Sequence, residues 1–510
     1  MKTLRLILGD QLNNNHSWFN KVDNNVIYVM AEMRQETDYV KHHIQKVVGF
    51  FMAMRQFSKN LEFNGHQVIY LEISDSQNPQ DLKTIIKELV SKSQIEKFEY
   101  QLPDEYRLDE QLKKICAELD IVSEAFDTEH FYTTRYELRD FFKGKKQLLM
   151  ESFYRMMRKK HDILMANGHP EGGKWNYDHS NRKKWDGTPK VLNELNFDKD
   201  VSELLKELRD AEVETFGNID PQHFPWPTSR KECLALLDYF RENLLIHFGD
   251  YQDALHTEEK FLFHSRLSFA MNSKMISPKE VVDAILEEFR INTNEIHISQ
   301  VEGFIRQIIG WREYMRGIYW KEMPKYKECN VLDNHNRLPE FFWTANTKMN
   351  CLKHAIGQSL DYAYAHHIQR LMIIGNYALL SQIHPNEVDA WYLGVYIDAL
   401  EWVEITNTRG MSQFADGGLV ATKPYVSSAN YINKMGNYCT SCHYTSNLKV
   451  GDKACPFNAL YWNFLFEKKE YFKNNPRMGM MLQLLEKKDD GELQNLRARA
   501  QDIIGNPDHF

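Results

Sequence analysis

The sequence predicts an α/β domain, doubly wound around a parallel sheet, followed by a large all-α domain. Three observations carry that reading. Short β-rich runs alternate with helical stretches over the first 130 residues, and apolar residues recur at helical spacing through the second half. The chain is 510 residues long, more than the roughly 100 to 200 of one ordinary domain.

The candidate strands are LRLIL, NVIYVM, QVIYLEI, FEYQL and IVSEAF, separated by segments such as DLKTIIKELVSKSQIEKF. In a sheet of this kind ligands sit beyond the carboxyl ends of the strands. Gly9, Asp10 and Gln11 follow the first run there, and Glu32 and Glu36 follow the second. No GxGxxG follows the first run, which argues against an ordinary dinucleotide site.

From Glu129 to Trp226 the pattern loosens, and EGGKWNYDHSNRKKWDGTPK reads as a connector with exposed faces. After PWPTSRKE come helical segments such as ECLALLDYFRENLLIHF, EVVDAILEEFR and EGFIRQIIGWREYMRGIYW, the last with Phe304, Ile308, Trp311 and Met315 at helical spacing. The expected units are therefore 1–130, 131–225 and 226–510.

Hydrophobic residues make up 43% of the chain and aromatic residues 13%, which suits a well-filled helical interior or one that holds planar ligands. The start lacks a secretory signal and no run approaches the roughly 20 apolar residues of a membrane span, so a soluble cytoplasmic protein is expected. A net charge of −8 leaves any nucleic-acid contact to local basic surface. Two tracts qualify: Arg155, Arg158, Lys159 and Lys160, then Arg182, Lys183 and Lys184, around Trp175, Tyr177 and Trp185. They read equally as a footprint for phosphates or as a solvated face.

Seven cysteines in a long chain do not suggest a disulfide framework. Cys439 and Cys442 form a CxxC, and Cys455 precedes Pro456 a short loop later. Three thiolates make an incomplete set, so a fourth ligand must be Cys351 or His443, and spacing alone leaves zinc and iron–sulfur both open. Cys116, Cys233 and Cys329 stand apart and read as small buried hydrophobes.

GFIRQIIGWREYMRG, YAYAHHIQRLMIIGNYALL, WYLGVYIDALEWVE and GMSQFADGGLVATKPY, with these cysteines and the opening ILGDQL and QETDYVKHH, closely resemble the bacterial iron–sulfur photolyases. These form a (6-4) branch of the cryptochrome/photolyase family. The resemblance implies an N-terminal antenna domain, a helical domain holding FAD, and a 4Fe-4S cluster on Cys351, Cys439, Cys442 and Cys455. It also implies a monomeric bacterial enzyme that repairs the pyrimidine–pyrimidone (6-4) lesion of UV-damaged DNA in light. A blue-light receptor that signals without repair is the alternative. A zinc-bearing nucleic-acid-binding module is a third reading, which the colour of the protein would separate.

Reversing a (6-4) adduct returns a hydroxyl or amino group from one base to the other, so a proton must accompany the electron. The resemblance assigns that proton to His367, supported by His366, with Tyr425 as a second polar contact to the lesion. Animal enzymes carry another histidine one turn later, where this chain has Leu371. Ser265, Leu267 and Ser268 resemble the family's phosphate turn. Arg370 matches the arginine beside the flavin ring, Asp398 the family's acidic residue, and Glu404 the position facing flavin N5, where most photolyases have Asn. Gln307 and Arg312 lie on the helix that borders flavin and DNA. Trp391, Tyr392 and Trp343 match the electron-transfer positions of the branch. Asp10, Glu36 and Tyr39 look like the pocket for its antenna, 6,7-dimethyl-8-ribityllumazine.

Overall fold

A computed structural model describes residues 1–145 and 147–510. All five candidate strands form, as Thr3–Leu6, Val26–Ala31, Gln67–Leu71, Lys97–Gln101 and Val122–Phe126. They make one parallel sheet with the first strand in the centre, the second and third on one side and the fourth and fifth on the other. Register sets Leu4 beside Ile27 and Phe98, and Leu6 beside Val29 and Tyr100.

Because side chains alternate across a strand, those residues share one face. Leu82, Ile85, Leu112 and Ile115, from helices Leu82–Lys92 and Tyr106–Ala117, cover that face. The opposite face carries Val26, Tyr28 and Met30, and it packs under helix Ile44–Phe63. That second core continues into the helical half without a break. The two halves are thus joined by apolar packing, and the carboxyl ends of the central strands look toward the junction.

The connector is more ordered than its composition suggests. Helices Met150–His161 and Ser202–Asp210 bury Phe153, Tyr154, Met157, Leu204 and Leu208 in the main core. Exposed faces persist at Arg182, Lys183 and Lys184. No helix among the described residues is long and apolar enough to cross a membrane.

Three helical runs of the second half contain a π-helical stretch: Arg306–Arg312, Gln369–Gly375 and Thr406–Ser412. Each holds one more residue per turn than an α-helix needs, a device common where a helix borders a functional site. Two of them pack closely enough that a side chain on Gly375 would run into the Ser412 hydroxyl.

Candidate functional site

Residues of all three wide turns, or next to them, make up half of the predicted flavin set: Gln307, Arg312, Arg370 and Glu404. Arg370 forks onto Asp398, Nη1 to Oδ1 at 3.0 Å and Nη2 to Oδ2 at 3.1 Å, while its Nε donates to the Ala365 carbonyl at 2.6 Å. Its guanidinium lies 3.7 Å over the Tyr396 ring. Burial works against the charge, but the Asp398 carboxylate outweighs it and pushes the Arg370 pKa up.

The Asp398 carbonyl accepts from Asn272 Nδ2 at 2.7 Å. Asn272 closes the short helix Ser268–Asn272, which follows Ser265 and the fully buried Leu267. The predicted phosphate turn and the Arg370–Asp398 pair are therefore tied together. Arg312 holds the same turn, donating to Met271 O and Asn272 Oδ1 at 3.3 Å and reaching His130 at 3.1 Å. Gln307 is half-buried and spends its amide on the Gly303 carbonyl at 3.0 Å. Glu404 is buried and accepts the Thr408 hydroxyl. Burial pushes its carboxyl up to about 8 despite Arg370, so it holds a proton at neutral pH.

His366 is buried, stacked on His264 with centroids 4.6 Å apart, and its backbone N–H donates to Gln369 Oε1 at 3.0 Å. His367, the next residue, is exposed. Desolvation, then Arg370, lower its pKa to about 4. His366 Nδ1 and His264 Nε2 are buried without partners, so the region retains polar capacity for a bound group, as a flavin site requires. His264, directly before the phosphate turn, was not anticipated. Tyr425 and the unanticipated Tyr431 both feel the charge of Arg182, which brings the connector to the same side.

Two of the three redox candidates are in ring contact. The Tyr392 hydroxyl donates to the Arg370 carbonyl at 2.6 Å. Its ring stands 5.4 Å from the fully buried Trp391, whose indole N–H bonds the Phe342 carbonyl at 3.0 Å. Trp343, the next residue, is 42% exposed. Tyr396 bridges Arg370 to both Trp391 and Tyr392, at 6.0 and 5.6 Å, and was missed because aromatic spacing alone cannot separate it from core.

Cys351, Cys439, Cys442 and Cys455 line one pocket, with Cys351 in the first turn of helix Asn350–Tyr362 and Cys455 capping helix Pro456–Glu467. Burial and then the other three thiols raise the Cys351 pKa, a repulsion that a bound cation relieves. The donor set suits an iron–sulfur centre. One zinc ion would need sulfurs at about 2.3 Å from a single point. No three His, Cys, Asp or Glu side chains among the described residues gather to hold one ion. His443, the other candidate fourth ligand, lies instead beside Lys453 at 3.3 Å. Of the lone cysteines only Cys233 is buried; Cys116 and Cys329 are half-buried, which corrects the expectation for those two.

Asp10, Glu36 and Tyr39 do meet, around a cavity of about 130 Å³ beyond the first two strands. His42, Lys46, Asp104 and Glu105 join them there. Arg107 grips Glu36 at 2.7 and 3.0 Å and lies over Tyr39 at 4.7 Å. Buried Lys274 reaches Asp10 at 2.7 Å and Asp104 at 2.9 Å. Burial, followed by Glu36, pushes Glu105 up to about 7. Both ring nitrogens of His42 are buried without partners, so the cavity offers unspent hydrogen bonds to a polar heterocycle.

The basic tracts divide. Arg158 is fully buried, and its guanidinium donates to the carbonyls of Ile163, Leu164 and Trp175, so it holds the connector together and cannot meet a phosphate. That corrects its placement with the DNA contacts. Arg155, Lys160, Arg182 and Lys183 are exposed and pair with Glu151, Glu137, Asp178 and Asp250. Lys159 and Lys184 are exposed, the first 5.4 Å over Trp175.

A (6-4) photolyase from Agrobacterium fabrum is 39% identical over 505 residues, covering 98% of each chain. This chain belongs to the photolyase-related branch of the cryptochrome/photolyase family. The deoxyribodipyrimidine photo-lyase-related protein family matches residues 5–224. A shorter relative, an uncharacterised protein of Acanthamoeba polyphaga mimivirus, is 36% identical over 107 residues, 21% of this chain and 80% of its own. The photolyase and cryptochrome fold is shared with a class III photolyase from Agrobacterium tumefaciens (TM-score 0.59, 14% identity, 99% of this chain and 98% of the other). It is shared likewise with a Synechocystis cryptochrome (TM-score 0.57, 11% identity, 98% of each).

Proposed function

We propose that this photolyase-family chain is a (6-4) photolyase. It repairs UV-damaged DNA using FAD in the helical half, a 4Fe-4S cluster on Cys351, Cys439, Cys442 and Cys455, and a ribityllumazine antenna beside Asp10, Glu36 and Tyr39. The observation that carries the reading is His367, an exposed imidazole whose pKa is lowered by the nearby Arg370 of the Arg370–Asp398 pair. Bound FAD would supply absorption of blue light and an electron for the lesion, held by Ser265, Ser268, Arg370, Asp398 and Glu404. Four thiols lining one pocket, with no histidine or carboxylate among its lining residues, support a cysteine-ligated cluster there.

The chain's own part is positioning and protons. Arg370 would set a fixed positive charge beside an anionic reduced flavin, and Asp398 fixes its orientation. Glu404 holds a proton at neutral pH and would face the ring of bound FAD. Desolvation and Arg370 hold His367 neutral, and negative charge brought close by bound cofactor and DNA would raise its pKa, so it would gain a proton as the complex forms. It then donates that proton to the group returning between the bases, a role open to imidazole near neutral pH. Arg155, Lys159, Lys160, Arg182, Lys183 and Lys184 are the proposed phosphate contacts. Flipping costs a few kcal/mol, less for damaged bases, which favours the lesion.

The test is repair of (6-4)-damaged oligonucleotides in blue light with a reductant. His367→Ala should abolish repair with FAD still bound, and unimpaired repair by that variant would remove His367 as the acid. Wild-type protein that binds flavin but repairs nothing would favour the signalling alternative.

A further inference from the structure

A buried polar chain joins the four-cysteine pocket to the histidine segment. Tyr438, adjacent to Cys439, also lines that pocket and is 1% exposed. Its ring lies along helix Asn350–Tyr362, stacked on His354 at 5.9 Å and 23°. Its carbonyl accepts from Asn350 Nδ2 at 2.8 Å. Cys351, His354 and Gln358 are spaced i, i+3 and i+7, so the phenol runs along one helix face from the pocket toward Gln358.

At the far end Gln369 Nε2 donates to the Tyr438 hydroxyl at 3.1 Å. Gln369 is 1% exposed and opens the wide turn Gln369–Gly375. Its Oε1 accepts the His366 backbone N–H at 3.0 Å. It also exchanges amide bonds with Gln358, at 3.0 and 3.3 Å. The Tyr438–Gln369 and Gln369–His366 links are buried, where an unpaired polar group is costly, so these members hold or shift together.

We infer that Tyr438 and Gln369 are positioning residues that couple the four-cysteine centre to the orientation of the His366–His367 segment. The inference rests on the proposed cluster and on His367 as the acid. A change in charge or in cysteine geometry moves Cys439, and the neighbouring phenol transmits that movement to Gln369 and the backbone of His366. Coupling of this kind is reciprocal. A side chain on the histidine end therefore feels the cluster as much as the cluster end feels the histidines.

Two variants of the intact holoprotein test this. Tyr438→Phe removes one hydroxyl and keeps the ring on His354. It should retain iron and FAD yet shift the pH midpoint of repair by about half a unit, as expected for losing one modest hydrogen bond. Gln369→Met lies at the histidine end and should shift the reduction potential of the cluster. An unshifted pH profile in the first variant, or an unshifted potential in the second, would overturn the coupling and leave the pair as packing. If Gln369→Met loses FAD, the second arm passes to the wild type. There, reducing the cluster should move the His367 titration midpoint, and an unmoved midpoint overturns the inference equally. Wild-type protein lacking iron would instead overturn the cluster reading itself.

Discussion

Replacing Glu404 by Gln tests the electrostatics of the Arg370–Asp398 region most directly. The carboxyl titrates near 8 in the folded chain against 4.5 for the free group. Between those values the folded state holds a proton that the unfolded state has released. Stability from this group therefore falls as pH rises through the window, and it is constant above 8. At about 1.4 kcal/mol per unit, the cost is roughly 2 kcal/mol at pH 6 and roughly 5 kcal/mol at pH 9. Glutamine mimics the protonated acid and does not titrate, so Glu404→Gln should gain about 3 kcal/mol on the wild type between those two pH values. Urea unfolding of both proteins at pH 6 and pH 9, at matched FAD content, measures the difference. Equal differences at the two pH values would show that Glu404 is already ionised, and its assignment as a proton holder would fall. An infrared band of a protonated carboxyl, lost in the variant, reads the same state without unfolding.

Trp391→Phe should leave FAD bound but largely abolish light-driven reduction by external donors, read from flavin absorbance; normal photoreduction would mean electrons travel another way. Arg158→Ala strands three backbone carbonyls and should cost about 3 to 5 kcal/mol of stability, seen as a lower unfolding midpoint. Lys184→Ala, on an exposed side chain, should leave stability unchanged and reduce the salt dependence of oligonucleotide binding by about one unit of slope. The opposite pattern would reverse the assignments of the two basic residues.

Much of the architecture was legible because periodicity reports burial. The five strands alternate two faces, as LRLIL and NVIYVM suggest, and Phe304, Ile308 and Met315 bury as their spacing requires. Asp10, Glu36 and Tyr39 meet because strand ends converge in any doubly wound sheet. Half-buried Arg107 and buried Lys46 and Lys274 escaped notice, since a cation turned inward looks like a surface one until its carboxylate or carbonyl partner is known. Arg158 misled for the same reason: in a run of Arg and Lys, nothing local marks the residue that turns inward. Tyr438 and Gln369 were hidden because their partners lie 69 residues apart in the chain. Wide turns are invisible to a search tuned to 3.6 residues per turn.

Those wide turns have a consequence for how such proteins diverge. One surplus residue rotates everything beyond it by about 100° around the helix axis relative to an uninterrupted spiral. The cavity-facing half and the core-facing half of each run are thus phased separately. Deleting the surplus from Gln369–Gly375 would swing Asn376 through Leu380 out of their core contacts while sparing His367. A lineage could hold its flavin wall constant and re-phase the scaffold behind it, or the reverse, by gaining or losing a single codon.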